Sequence, residues 1–113
     1  MTGIRYPLCR EEDLPEDGAR GFRVETPAGT TAVLLTRRDR RLQAYRNRCP
    51  HTGINLDWVP DQFLDFSGSY LQCATHGALF RFHDGFCIRG PCAGQSLQAL
   101  TLYRDGDEVG VIL

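Results

Sequence analysis

Two short segments combine thiols with imidazoles. Arg48-Cys49-Pro50-His51-Thr52-Gly53 sets a cysteine and a histidine one residue apart, and Cys73-Ala74-Thr75-His76-Gly77 repeats the pairing with two residues between. Cysteine and histidine are the ligands of soft and borderline metals, and the glycine that closes each segment permits tight loop geometry that other residues would strain. Cys49, His51, Cys73 and His76 are therefore the candidate metal ligands. A structural zinc site uses the same residue types, but its paired ligands are usually separated by two to four residues. A single residue between Cys49 and His51 suits a dinuclear centre that takes them on separate metals. Two buried thiols and two hydrogen-bonded loop histidines remain the plain alternative.

To close on one centre, the two loops need rigid strands at their bases. Helical periodicity is confined to a short turn at 10–17, where Glu11, Glu12 and Asp13 suit a helix start before Pro15. The rest reads as short strands. Gly21 to Thr26 and Thr30 to Thr36 flank Pro27-Ala28-Gly29 as a hairpin, and the β-branched second strand is expected to be well buried. Arg37 to Arg41 reads as a charged connection to a third strand, Leu42 to Asn47, with Leu42, Ala44 and Arg46 on one face. Three further hairpins follow: 63–66 with 70–72 around Ser67-Gly68-Ser69, 79–82 with 86–88 around His83-Asp84-Gly85, and 96–103 with 108–113 around Arg104-Asp105-Gly106-Asp107. The expected fold class is all-β and antiparallel.

C-x-H followed by C-x-x-H, each at a β-loop tip, resembles the Rieske signature. The resemblance covers most of the chain and is strongest from Asn47 to Pro91; in the flanks it rests on Leu42-Gln43-Ala44-Tyr45 and Gly106-Asp107-Glu108-Val109. It implies a Rieske-type sandwich in one domain, 1–113, with base strands at about 1–47 and 93–113 and a cluster-binding subdomain at about 48–92. It also implies one [2Fe–2S] cluster, with Cys49 and Cys73 on one iron, His51 and His76 on the outer one, and Gly90-Pro91 as the covering third loop. Two ferric ions, two sulfides, two thiolates and two neutral imidazoles sum to zero charge, so an added electron costs less than in an all-thiolate centre. Rieske potentials accordingly lie at roughly −150 to +300 mV, against about −400 mV for plant-type ferredoxins.

Within that range the sequence points low. High-potential Rieske proteins carry a disulfide between the two cluster loops, at positions that here hold Ile54 and Thr75, and serine and tyrosine hydroxyls where this chain has Ala78 and Phe80. Without those donors the reduced state is less stabilised. The 21 residues between His51 and Cys73 include Trp58 and Phe63, expected to pack beneath the first loop; a partner-facing Trp58 is the alternative. Cys87 and Cys92 flank Gly90-Pro91 and read as buried packing, with a redox-active pair as the sharper alternative; Cys9 reads as packing on a first strand. His83 reads as a solvated turn residue. Arg37 to Arg41, with no aromatic interleaving and in a chain with no net positive charge, reads as a charged hairpin end and not a nucleic-acid surface.

The 113 residues carry 13 Lys and Arg against 14 Asp and Glu, an ordinary globular balance with no bias toward polyanions. Apolar runs such as 32–35 are far shorter than the roughly 20 residues a membrane helix needs. Met1 to Pro7 has no basic stretch leading into an apolar one, so a cytoplasmic location is expected, where five cysteines stay reduced. The resemblance implies a soluble one-electron carrier of the ferredoxin kind, not itself an enzyme, with a reductase and a terminal acceptor as protein partners and no nucleic acid, membrane or small-molecule substrate. A small subunit of a nitrite reductase-like or oxygenase complex is the alternative, as is a zinc- or cluster-stabilised binding module. An oxygenase catalytic subunit is not expected, because its mononuclear-iron domain has no room in this length.

Overall fold

The computed structural model describes residues 3–50, 53–57, 62–75 and 77–113. Among these described residues nine strands run in chain order: β1 (Arg5–Arg10), β2 (Gly18–Thr26), β3 (Gly29–Arg38), β4 (Arg41–Arg46), β5 (Leu71–Gln72), β6 (Leu79–Phe80), β7 (Cys87–Arg89), β8 (Thr101–Asp105) and β9 (Glu108–Ile112). They form three antiparallel sheets, ordered β1-β9-β8, β2-β3-β4 and β5-β6-β7. The all-β antiparallel expectation holds. The turn expected over 10–17 shrinks to one 3-10 turn, Glu11–Asp13, because the Asp13 carboxylate accepts the Arg10 N–H and Leu14 then drops into the core.

β3 shows why its sequence is apolar without alternation. Val33 and Leu35 face one way, into a core shared with Val24, Ala44, Val109 and Val111, which fills the space between the first two sheets. Leu34 faces the other way and joins Tyr45, Ala19, Phe63, Phe80 and the buried cysteines. All three β3 side chains are fully buried. A strand covered on both faces needs apolar residues at every position, not at every second one. The middle sheet is therefore the wall between two cores, and Leu34 pairs directly with Tyr45 across it.

The segment 37–41 departs from a simple charged connection. β3 continues through Arg38 and β4 begins at Arg41, leaving only Asp39 and Arg40 in the turn, with φ of +52° and +64°. Positive φ at both central residues is the hairpin geometry that Asn-Gly usually signals, and here no glycine marks it. The arginines around the turn have structural tasks. Arg37 donates to the Leu14 carbonyl at 3.3 Å, and Arg38 donates to the carbonyls of Ser69, at 2.9 Å, and Gly68. The Arg38 guanidinium also lies 3.8 Å from the centre of the Phe82 ring, tying the middle sheet to the third.

Two expected hairpins are shorter than their sequences suggest. The 63–72 hairpin is one bridge, Leu64 with Leu71, closed by Asp65, whose carboxylate accepts from Ser67 Oγ and the N–H groups of Ser69 and Tyr70. Residues 96–100 run along the edge of β4 through single contacts, Arg46 N–H to Gln98 O and Leu100 N–H to Ala44 O, before β8 starts at Thr101.

Candidate metal centre

Chain leaving β4 is turned into the first loop by Asn47, one of two buried polar residues among those described. Its N–H donates to Ala32 O, which still belongs to β3; its Oδ1 accepts the Leu56 N–H at 2.8 Å, and its Nδ2 donates to Asp57 at 2.9 Å. One amide thus fixes both ends of the loop that carries Cys49. The sequence reading placed Asn47 only at a strand end; an amide between an apolar strand and a cysteine loop was the available signal.

The two cysteine loops share one design. Cys49 N–H donates to Ile54 O at 2.7 Å and Gly53 N–H returns to Cys49 O at 2.8 Å; Cys73 N–H donates to Ala78 O at 2.9 Å and Gly77 N–H returns to Cys73 O at 2.8 Å. In both, the cysteine bonds to the residue five places on and receives from the glycine four places on. Gly53 and Gly77 have φ of +76° and +69°, values that side-chain-bearing residues rarely adopt. Ala74 N–H donates to Leu56 O at 2.8 Å and binds the second loop to the first. Cys49 and Cys73 are both fully buried.

Gly90 brings the third segment against the second loop. Its φ is +107°, and a Cβ there would lie 2.7 Å from Ala78 Cα, so only glycine permits this approach. Cys87 and Cys92, on either side of Gly90-Pro91, are fully buried with their Sγ atoms 3.2 Å apart, and Cys87 Sγ lies 3.2 Å from the Arg89 carbonyl. Burial first, and then the neighbouring Cys87 and Cys49 thiols, push the Cys92 thiol up to about 12. Packing is the bland role expected of the pair, and both do lie in the second core.

Phe63 is fully buried in that core beside Leu56, Leu71 and Phe80, as expected of a residue beneath the first loop. His51, His76 and Trp58 lie outside the described residues. Among the described residues, no three His, Cys, Asp or Glu side chains are grouped to hold a metal ion. His83 is exposed in its turn, 3.6 Å from Asp84, whose carboxylate is held by Arg81. Among the described residues no helix is long and apolar enough to cross a membrane.

The Rieske [2Fe-2S] domain family matches residues 4–105 of the chain. The chain belongs to the Rieske [2Fe-2S] domain family. Solved structures agree on the fold of this Rieske chain. It is similar to the ferredoxin of carbazole 1,9a-dioxygenase from Nocardioides aromaticivorans IC177, with a TM-score of 0.71 and 22% identity over 98% of this chain and 97% of that one. A complex of reduced oxygenase and oxidized ferredoxin in carbazole 1,9a-dioxygenase gives a TM-score of 0.73 and 21% identity, covering 97% of this chain and 94% of the matched one. The terminal oxygenase of carbazole 1,9a-dioxygenase from Novosphingobium sp. KA1 gives 0.78 and 21%, and there the Rieske chain spans 30% of the oxygenase's length. No curated protein matches the chain.

The cofactor this family implies is a Rieske [2Fe–2S] cluster. The donor set suits it: two buried thiols on loops of one design, tied together by Ala74 and Leu56 and covered by a third segment packed on Ala78.

Proposed function

We propose that the chain is a one-electron carrier that holds a single Rieske cluster, with Cys49 and Cys73 on one iron and His51 and His76 on the other. The observation that carries this reading is the equivalence of the two cysteine loops, which share both hydrogen-bond offsets and a positive-φ glycine and are bonded to each other. A structural zinc site would not call for a loop in which cysteine and histidine are separated by a single residue, as Cys49 and His51 are. When bound, the cluster supplies reversible one-electron chemistry. The protein's own part is to bury the thiolates, exclude water from the cysteine side and close the third segment over it. Segment 48–92 is the cluster-binding part of a single domain and 1–47 with 93–113 its base, although Leu97 also packs in the cluster-side core.

Carriage without catalysis is favoured by the ferredoxin likeness, which runs along nearly the whole of both chains. By analogy with the oxygenase–ferredoxin complex, the partners are proteins: a reductase as donor and an oxygenase or similar oxidoreductase as acceptor. Transfer contacts of this kind are small, below about 1,200 Å². A cytoplasmic location suits buried cysteines that form no disulfide. The potential lies toward the negative end of the Rieske range, because Ala78 and Phe80 bring no hydroxyl to the cluster and Ile54 and Thr75 form no bridge.

Iron and acid-labile sulfide analysis with dithionite titration tests this reading. The expected result is two irons and two sulfides per chain, bleaching by one electron, and a midpoint below zero. A colourless protein with one zinc would overturn it, and a midpoint well above zero would remove the low-potential assignment.

A further inference from the structure

We propose that the groove beside the first cysteine loop, edged by Arg46 and Arg48, is the docking surface for a carboxylate-rich patch on the protein that exchanges electrons with this chain. The inference deepens the carrier reading above, on which it rests, by giving the charge of the partner's surface.

Charge is divided unevenly along the chain. The whole sequence has a formal charge of −1, yet residues 46–56, 66–80 and 86–100, which include both cysteine loops and the third segment, hold Arg46, Arg48 and Arg89 and no Asp or Glu. Between 48 and 92 the acidic residues are Asp57, Asp61, Asp65 and Asp84. Asp57 is occupied by Asn47 Nδ2 at 2.9 Å, Asp65 by Ser67, Ser69 and Tyr70, and Asp84 by Arg81. Asp61 lies outside the described residues.

Arg46 and Arg48 stand together where β4 ends. Arg48 N–H donates to Arg46 O at 2.9 Å, and Arg46 N–H donates to Gln98 O at 2.9 Å. The strand end and the 96–98 edge thus become two walls of one groove, whose lining also includes Pro50, Gly53 and Ser96. The Arg48 guanidinium reaches across the loop: a Cβ on Gly53 would lie 3.2 Å from its Nε and from its Nη2. A fixed positive charge therefore lies over the loop that carries Cys49 and, in sequence, His51. Arg46 Nη1 donates to the neutral Gln98 Oε1 at 3.5 Å. Among the described residues neither guanidinium has a carboxylate partner, whereas Arg5, Arg10, Arg38, Arg81 and Arg104 each do.

Size and chemistry favour a protein surface in this groove. It encloses about 460 Å³, against roughly 30 Å³ for a water molecule in the liquid, so a lone small anion would leave most of it wet. Carboxylate side chains projecting from a partner can reach both guanidinia, and the planar arginine fork accepts each of them through paired N–H···O bonds. Ile54 of the same loop is 40% exposed and offers an apolar contact beside the charges. Opposite charges across a small contact speed encounter and fix orientation more than they tighten the complex, which suits a carrier that must leave again.

The test uses cluster-loaded wild type, Arg46→Glu, Arg48→Glu, Arg46→Lys and Arg41→Glu. Arg41 and Arg46 end the same strand, roughly 17 Å apart, so their reversals change the net charge alike at two different places. Fluorescein-labelled hexaglutamate stands for the partner's carboxylates, and anisotropy reads its binding. Stopped-flow oxidation of dithionite-reduced protein by ferricyanide, which takes one electron and becomes ferrocyanide, reads the charge near the cluster. In Arg46→Glu and Arg48→Glu the peptide should bind about fivefold more weakly and ferricyanide should react more slowly, while the cation tris(phenanthroline)cobalt(III) reacts faster. Arg46→Lys and Arg41→Glu should stay near wild type. Peptide binding should also weaken between about 10 mM and about 0.1 M salt, where the screening length shortens from about 30 to about 10 Å.

Equal losses in Arg41→Glu and Arg46→Glu would mean that net charge alone governs, and would overturn the proposal, as would a loaded wild type that does not bind the peptide. Displacement of the peptide by inorganic phosphate at matched ionic strength would assign the groove to a small anion and overturn it too. If Arg48→Glu does not load, because its side chain packs on Gly53, Arg46→Glu against Arg41→Glu decides. A wild type without iron and sulfide would instead bring down the carrier reading and the docking with it, a failure that iron analysis tells apart from the others.

Discussion

The base and the cluster side are held together by different means. In the base, β2 pairs with β3 along all nine of its residues, and the enclosed core is aliphatic, built on Val24, Val33, Leu35, Val109 and Val111. On the cluster side β5 and β6 are two residues each, and the core mixes phenylalanines with four cysteines. Six glycines between 53 and 94 that take positive φ, at 53, 68, 77, 85, 90 and 94, shape the loops there. A long ladder around an aliphatic core is stable without a ligand. Short loops around thiols are the arrangement whose ordering a metal centre completes, because its binding energy is then folding energy. The base is thus a scaffold that fixes where the loops start, and the cluster side carries the chemistry.

That contrast can be broken by substitution. Leu35→Ala opens a cavity in the base core and should cost about 2–5 kcal/mol of stability, read from the denaturant midpoint. Below that midpoint the iron content and redox midpoint should match wild type; a shifted redox midpoint would show that the base does more than support. Gly90→Ala attacks the other side. A Cβ at φ +107° and 2.7 Å from Ala78 Cα should cost about 1–3 kcal/mol and, unlike Leu35→Ala, should lower the iron bound per chain. Full iron content in that variant would refute the closeness of the third segment. Tyr45→Phe probes the join, because the Tyr45 hydroxyl donates to the Phe82 carbonyl at 2.7 Å from the sheet that separates the cores. Its loss should cost about 0.5–1.5 kcal/mol and speed amide exchange around Arg81 to Phe86 more than in β2 or β9. Equal acceleration in both regions would mean that they open as one unit.

What the chain reveals before folding follows the same division. The cysteine loops were legible because their chemistry is local: a thiol, a neighbouring imidazole and a glycine lie within a few residues. So were the strands of the base, whose apolar runs are continuous because Leu34 and its neighbours serve two cores. Less legible were the features set by distant contacts. Asp39 and Arg40 make a tight turn without a glycine, since Arg37 and Arg38 are anchored on Leu14, Gly68, Ser69 and Phe82 from remote parts of the chain. Residues 96–100 read as strand but touch β4 only at single points, because they pass between the sheets before joining β8. Asn47 looked like the end of a strand, and its two-sided clamp on the first loop depends on where Ala32, Leu56 and Asp57 arrive. Cys49 and Cys73 are seen on their matched loops, while the imidazole half of the site, His51 and His76, lies outside the described residues and is carried by the proposal.

The imidazole half is accordingly where the account is most directly tested. Electron–nuclear double resonance on dithionite-reduced protein labelled with nitrogen-15 at histidine reads nitrogens bound to the cluster. The account predicts two inequivalent nitrogen couplings, one lost in His51→Cys and the other in His76→Cys. A reduced cluster with no histidine coupling, or a protein that binds zinc in place of iron, would contradict it.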